Sequence, residues 1–256
     1  MHAPIRPVAV VLAAVALCAA CAGAAPAAPV TPSGTPEPVP PAPPPVVVLD
    51  PGHNGGNAAD PAAINRPVPD GRGGTKACNT TGTATDDGYP EHAFNWDLAQ
   101  RVRQRLEAAG VRVVLTRPDD DGVGPCVDER GAAGGRAGAA AVVSLHADGA
   151  APAAAGFHVA HADPPVHGTG PEALRLAGTL RDALRAGGFT PAGYIGRDGL
   201  DGRPDLAGLN HSTVPAALVE AGNMRNAAEA QVLSSPEGRE RYADAVSAGV
   251  LGYLGR

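Results

Sequence analysis

The chain has 256 residues, a formal net charge of -6 and 3% aromatic residues. It has no cluster of Lys and Arg and no aromatic stripe, so its composition argues against nucleic acid as a partner. The length fits one folded domain with additional segments.

The first 45 residues differ in composition from the rest of the chain. Residues 1–25 have the charged, apolar and small-residue order of a secretory signal sequence, and their apolar core is short for a membrane span of about 20 residues. Two routes for removal of the signal sequence fit these residues. One is cleavage before Cys21 in a box similar to that of bacterial lipoproteins, with lipidation of Cys21; the other is ordinary cleavage after Ala24 or Ala25. Residues 26–45, rich in Pro and Ala, are expected to form an extended linker.

Residues 46–256 alternate predicted strands and helices. Apolar runs predict strands over residues 46–49, 111–116, 141–145, 156–160 and 214–219. Helices are expected over residues 90–110, 128–140, 171–186 and 238–254. Apolar residues at helical spacing define one face of two of these helices: Phe94, Leu98, Val102 and Leu106 in one, and Leu174, Ala177, Leu180 and Leu184 in the other. The alternation predicts an α/β fold, a single domain with a mostly parallel twisted sheet flanked by helices on both faces.

The number of cysteines in the chain is consistent with export to an oxidising compartment. Either removal of the signal sequence leaves Cys78 and Cys126 available to pair. In an oxidising compartment they are expected to form a disulfide, which would stabilise the fold by roughly 4 kcal/mol in the chain-entropy model. Two free buried thiols are the alternative.

Four polar side chains are predicted to lie along one rim of the sheet. His53, His146 and Glu220 each follow a predicted strand, and Glu91 opens the helix after the first strand. The carboxyl ends of parallel strands meet at one edge, where ligands bind in such folds. Two His and one carboxylate are a usual protein set for catalytic zinc, and a second carboxylate outside the metal shell can act as general base. The pattern therefore predicts a metal-dependent hydrolytic site.

Four segments carry a family resemblance: LDPGHNGG at residues 49–56, PE at 90–91, SLHAD at 144–148 and VPAALVEAGNMRN at 214–226. They resemble the motif blocks of the zinc-dependent N-acetylmuramoyl-L-alanine amidases of the amidase-3 type, over essentially all of residues 46–256. The loop at residues 64–85 is similar to that of the actinobacterial secreted branch. The resemblance implies zinc on His53, Glu91 and His146, with Glu220 as the catalytic carboxylate. It also implies hydrolysis of the amide between N-acetylmuramic acid and L-alanine in peptidoglycan or muropeptides.

The remaining histidines are weaker candidates for a metal site. His92 neighbours Glu91, but a helix turns it about 100° away from that face. His158 and His161 lie three apart on a predicted strand and so point to opposite faces. Together with His167 they are expected at the surface.

Three other residues are candidates for substrate contacts. His211 precedes the last strand, and Asn223 and Arg225 follow Glu220, where they could bind peptide carboxylates.

The loop at residues 57–88 could cover the site. The sequence gives no reason to expect an oligomer, so a monomer is predicted. Contact with a membrane is expected only through a lipid attached to Cys21. We expect export to the cell envelope or beyond.

Other classes of function fit less well. A serine hydrolase needs a nucleophile elbow, but the segment AVSAG at residues 245–249 lacks the first Gly and lies in a predicted helix. A nucleotide-binding enzyme needs a phosphate-binding loop that ends in Gly-Lys followed by Ser or Thr. The segment GRGGTK at residues 71–76 does not have this ending. The remaining alternative is a non-catalytic peptidoglycan-binding envelope protein of the same fold.

Overall fold

A computed structural model describes residues 43–256 of the chain. The predicted signal sequence, Cys21 and all but the end of the predicted linker lie outside the described residues. Within residues 43–256, no helix combines the length and the apolar character needed to cross a membrane.

Eight strands and seven α-helices make up the described part of the chain. The strands are β1 (Val46–Pro51), β2 (Pro67–Pro69), β3 (Thr75–Ala77), β4 (Arg112–Leu115), β5 (Ala141–Asp148), β6 (His158–Ala162), β7 (Leu200–Arg203) and β8 (Ala216–Asn223). The helices are α1 (Pro61–Ile64), α2 (Glu91–Ala108), α3 (Val127–Ala137), α4 (Gly170–Ala186), α5 (Ala207–Asn210), α6 (Ala227–Ser234) and α7 (Pro236–Leu254). A short 3-10 helix, Gly55–Ala59, follows β1.

The main sheet has six strands in the order β4-β1-β5-β8-β6-β7. The first four run parallel, β6 pairs with β8 in the antiparallel sense, and β7 runs parallel to β6. Strands β2 and β3 form a separate antiparallel hairpin. The carboxyl ends of β1, β5 and β8 therefore lie side by side at one edge.

Helices cover both faces of this sheet. One face packs against α2, α4 and α7, where Phe94, Leu98, Leu180 and Val246 are fully buried. The other face carries Val48 and Val142 and packs against α3 and α5. The predicted α/β fold with a mostly parallel sheet and helices on both faces is confirmed.

Glycines bring α3 close to its neighbours. A Cβ on Gly131 would lie 2.6 Å from the backbone oxygen of Gly208, and one on Gly134 would lie 2.4 Å from a methyl carbon of Val142. Glycine has a low helix propensity, but Gly131 and Gly134 allow α3 to pack closely against α5 and the sheet.

The structure corrects several predicted elements. Strands β5 and β8 run on through His146 and Glu220, which lie within strands rather than after them. Leu174 was expected on the buried face of α4, but its side chain is 46% exposed, and Ala173 and Leu176 are buried instead. The hairpin β2–β3, strand β7 and the short helices α1, α5 and α6 have too few residues to produce a clear periodic pattern.

Candidate active site

Three predicted metal ligands meet at the carboxyl edge of the sheet. His53 follows β1, Glu91 is the first residue of α2, and His146 lies near the end of β5. One donor atom from each lies within 4.8 Å of the other two. His53 Nε2 is 3.1 Å from Glu91 Oε2, and His146 Nδ1 is 2.9 Å from Glu91 Oε1.

Glu91 is held in place by several hydrogen bonds. Its Oε2 accepts a hydrogen bond from the backbone N–H of Thr83 at 3.0 Å, and its Oε1 accepts one from the side-chain amide of Asn95 at 3.3 Å. Burial alone would raise the pKa of Glu91, but hydrogen bonds and charge from His146 and His53 hold this pKa well below its usual range. Glu91 is therefore an ionised carboxylate suited to a cation.

His53 occupies a strained turn. Its φ of 59° lies in the left-handed region, which residues other than glycine rarely adopt. The backbone oxygen of Thr80 lies 3.0 Å from His53 Nδ1. A carbonyl oxygen can only accept, so Nδ1 donates to Thr80, and Nε2 is the ring nitrogen that faces Glu91 and is left to bind a metal. The ring is thus oriented as a metal ligand requires.

A glycine makes room for the ring of His146. A Cβ on Gly52 would lie 2.1 to 2.5 Å from three atoms of that ring. Real Cβ atoms do not approach so closely, and therefore only glycine fits between β1 and the imidazole.

Glu220 lies beside His146 in the next strand. The two residues are register partners in the parallel pair β5–β8. Glu220 Oε2 is buried, and no group among residues 43–256 forms a hydrogen bond with it. Burial, reinforced by the negative charges of Glu91 and Asp148, raises the pKa of Glu220 well above its usual range. A carboxyl group of this kind accepts a proton more readily than an exposed carboxylate does.

These side chains line a cleft of about 440 Å³. The segment at residues 79–83 forms one wall and supplies the backbone groups that bind His53 and Glu91. The predicted disulfide between Cys78 and Cys126 is present and ties the start of this segment to the residue preceding α3. The loop expected to cover the site therefore also orients the residues in it.

Comparisons with known proteins agree with this geometry. Residues 47–251 match the Amidase_3 family, described as N-acetylmuramoyl-L-alanine amidase. The chain is 50% identical over 211 residues to N-acetylmuramoyl-L-alanine amidase Rv3717 of Mycobacterium tuberculosis, an alignment that covers 82% of this chain and 86% of that protein. The chain belongs to the N-acetylmuramoyl-L-alanine amidase family.

Solved structures of amidases have the same fold. The chain is similar to the amidase Ami1 from Mycobacterium smegmatis, with a TM-score of 0.80, 50% identity and coverage of 82% of this chain and 97% of that chain. The chain is also similar to the apo form of Ami1 from Mycobacterium abscessus, with a TM-score of 0.79 and 53% identity. The match covers 82% of this chain and 98% of that chain. The predictions of the amidase-3 family and of an enzyme are confirmed, and these relatives are mycobacterial, in keeping with the actinobacterial branch.

A buried ion pair supports the turn that carries His53 in this amidase. Arg130 Nη1 donates to Asp50 Oδ1 at 2.8 Å and to the Pro51 carbonyl at 2.7 Å, and its Nη2 donates to the His53 carbonyl at 2.6 Å. Burial raises the pKa of Asp50, but Arg130, together with the hydroxyls of Thr116 and Ser144, lowers it to about 2.

Sequence reasoning missed this pair. Asp50 directly follows an apolar run, and an acid in that position is a detectable signal. Arg130 lies in a glycine-rich helix, and nothing in the surrounding sequence distinguishes it from a surface arginine.

The amidase places two of the predicted substrate contacts away from the cleft. Asn223 is fully buried, and its amide donates to the backbone oxygens of Ala151 and Ala154 rather than pointing into the cleft. His211 Nε2 lies 3.0 Å from the Pro69 carbonyl, and His211 is not among the cleft residues.

Arg225 remains near the site. Its Nε lies 2.8 Å from Asp86 Oδ1, and it borders a second depression, of about 570 Å³, that shares residues 81–83 with the cleft.

Four other histidines, at positions 92, 158, 161 and 167, lie outside the cluster of proposed metal ligands. His92 Nδ1 lies 2.8 Å from Asp120 Oδ2, and His92 is absent from the cleft, as the helical geometry predicts. His158 was expected at the surface, but it is only 2% exposed. The antiparallel pairing of β6 places it opposite Glu220, inside the sheet, which is why the surface prediction is wrong for this residue. His167 is exposed and His161 half-buried.

Proposed function

We propose that this chain is a zinc-dependent peptidoglycan amidase that hydrolyses the amide between N-acetylmuramic acid and L-alanine of the stem peptide. The observation that carries the proposal is the convergence of His53, Glu91 and His146 at one side of a cleft that also contains Glu220. The relatives named above are amidases of this specificity, which supports the choice of bond.

The donor set fits zinc. Tetrahedral zinc with bonds of about 2.0 Å holds neighbouring ligand atoms about 3.3 Å apart. His53 Nε2 lies 3.1 Å from one oxygen of Glu91 and His146 Nδ1 lies 2.9 Å from the other, and each distance is close to this spacing. Two imidazoles and one carboxylate leave a fourth position for water, as in catalytic zinc sites. Zinc bound there would supply Lewis acidity, lowering the pKa of water toward about 7 and stabilising negative charge on the carbonyl oxygen.

Glu220 is proposed as the proton carrier. It is not needed as a ligand, it lines the same cleft, and its raised pKa suits a group that is first a base and then an acid. Glu220 would take a proton from the water that attacks the amide carbonyl. It would then deliver that proton to the nitrogen of L-alanine as the bond to the lactyl group breaks.

The alternative is a peptidoglycan-binding protein without activity. A binding protein has no need for an ionised Glu91 between two imidazoles, nor for a strained His53. The presence of all four chemical groups favours the enzyme.

Digestion of muramyl peptides by the full chain tests the proposal. The products would be identified by mass spectrometry with no addition, with a chelator, and with zinc restored. We expect free peptide with an N-terminal alanine, lost with the chelator and regained with zinc. Bound zinc without cleavage would favour the binding protein.

We also propose that the chain acts outside the cytoplasm, either lipid-anchored through Cys21 or freely secreted. Fractionation of cells that express the full chain and its Cys21→Ser variant tests this. Release of only the variant from the membrane fraction would indicate the anchor, equal release would indicate free secretion, and retention of both in the cytoplasm would contradict export.

A further inference from the structure

Three polar side chains form a row across the sheet beside the metal ligands. His146 on β5 is the register partner of Glu220 on β8, and Glu220 is in turn the register partner of His158 on β6. Directly opposed residues of an antiparallel pair lie on the same face, with Cβ atoms about 4.5–5.5 Å apart. His158 therefore lies next to Glu220, on the side away from His146.

Two buried polar atoms on this row have no partner among residues 43–256. They are Oε2 of Glu220 and Nδ1 of His158. Burial of an unpaired donor or acceptor is costly, and most such atoms in folded proteins are satisfied. One of these atoms is an acceptor, the other can carry a proton, and they belong to facing residues.

We propose that His158 is a positioning residue for the reaction, whose Nδ1–H acts on Glu220 Oε2 through one bridging water. This inference rests on the proposed role of Glu220 as proton carrier. The hydrogen bond fixes the carboxylate and reserves its other oxygen, Oε1, for water and substrate in the cleft. His158 acts through Glu220 and does not touch the reacting atoms.

The surroundings of His158 suit this role. Burial lowers the pKa of its imidazole, against the opposing charges of Asp148 and Asp201, and Arg203 acts in the same direction as burial. A neutral imidazole donates one hydrogen bond without neutralising the base. The ring of Tyr194 packs edge-on against that of His158 at 6.3 Å, and the Tyr194 hydroxyl donates to Asp148 Oδ2 at 2.8 Å. The Tyr194 ring thereby restricts the movement of the imidazole.

A second metal site does not account for His158. Among residues 43–256, the one group of three or more His, Cys, Asp or Glu side chains with the spacing of a metal site is that of His53, Glu91 and His146. The buried Nδ1 atom is therefore available to Glu220, the facing residue on β8.

Two substitutions of His158 separate positioning from packing. His158→Leu removes the donor and keeps an apolar filler, whereas His158→Asn places an amide nitrogen at the same number of bonds from the backbone as Nδ1. With a muramyl peptide as substrate, we expect His158→Leu to lower kcat about 10- to 100-fold, as for loss of a hydrogen bond to a charged group. KM and zinc content should stay within twofold, and His158→Asn should restore kcat to within about threefold of the unmodified chain. His161→Leu, on the opposite face of the same strand, is the matched control and should leave kcat unchanged.

The outcomes distinguish this inference from the proposed function. Unchanged kcat in His158→Leu, or equal losses in the Leu and Asn variants with altered KM or zinc content, would overturn the positioning role. If His158→Leu does not fold, His158→Gln replaces it: lower kcat for Gln than for Asn supports the role, and equal values overturn it. A parallel Glu220→Gln variant reports on the proposed function itself, because full activity there would remove the base that His158 is said to orient.

Discussion

Replacement of Asp50 by Asn is expected to destabilise the fold by removing one partner of a buried ion pair. Asp50 is 7% exposed and accepts hydrogen bonds from Arg130 at 2.8 Å, Thr116 at 2.5 Å and Ser144 at 2.7 Å. Asn is nearly the same size and keeps one acceptor oxygen. The main change is therefore the loss of charge beside Arg130, which is also buried.

The size of the effect follows from the pKa of Asp50. This pKa is lowered from an ordinary value of 3.8 to about 2. At 1.36 kcal/mol per pKa unit, the ionised form of Asp50 stabilises the fold by roughly 2.5 kcal/mol. Removal of one partner of a buried pair costs about 3–5 kcal/mol in other proteins. We expect the free energy of unfolding to fall by about 2–4 kcal/mol at pH 7.

The effect should depend on pH in a defined direction. A lowered pKa in the folded state gives stability that is fully present above the pKa of the unfolded state. It is lost as the pH falls from about 4 toward about 2, where Asp50 itself becomes protonated. The difference between the unmodified chain and Asp50→Asn should therefore shrink over that range.

Urea denaturation in the presence of a chelator measures this difference. Unfolding curves would be recorded at pH 7, 4, 3 and 2 for the unmodified chain, Asp50→Asn and the control Asp121→Asn. Asp121 is exposed and forms no ion pair with any of residues 43–256, so its replacement should change the free energy of unfolding little. A difference for Asp50→Asn below about 1 kcal/mol at pH 7, or one that stays constant down to pH 2, would refute the reasoning.

Three further predictions concern the site and its supports. Gly52→Ala should abolish zinc binding, measured by metal analysis, because its methyl group collides with the ring of His146; retained zinc would show that the backbone moves aside. His92→Ala should keep full zinc content, since His92 lies outside the cleft; loss of zinc would make His92 a ligand. Replacement of Cys78 and Cys126 by Ser should lower the free energy of unfolding, measured by denaturant titration, by about 4 kcal/mol. This is the value of the chain-entropy model for a loop of 48 residues. An unchanged free energy of unfolding would show that the disulfide does not stabilise the fold.

The sequence was sufficient to predict the architecture and the meeting of four polar side chains at one edge of the sheet. Long apolar runs and the four-residue spacing in α2 reflect deep burial, which is a strong local signal. His53, His146 and Glu220 are polar residues next to buried strands, and Glu91 opens an amphipathic helix. Parallel topology alone then brings these positions to one edge of the sheet.

Other features depend on contacts that sequence order does not show. The reversal of β6 places His158 beside Glu220, and no periodic pattern distinguishes an antiparallel neighbour from a parallel one. The burial of Asn223 depends on a loop that folds over its amide group. Arg130 lies 80 residues from Asp50 in the chain, so their ion pair became visible only in three dimensions.

The most direct test of the account compares zinc content and cleavage in two variants of the full chain. His146→Ala removes a proposed ligand, and Glu220→Gln removes the proposed proton carrier while keeping its shape. We predict that His146→Ala loses both zinc and cleavage of a muramyl peptide. Glu220→Gln should keep one zinc per chain but lose nearly all cleavage. Full cleavage by zinc-loaded Glu220→Gln, or full zinc content in His146→Ala, would contradict the central assignment.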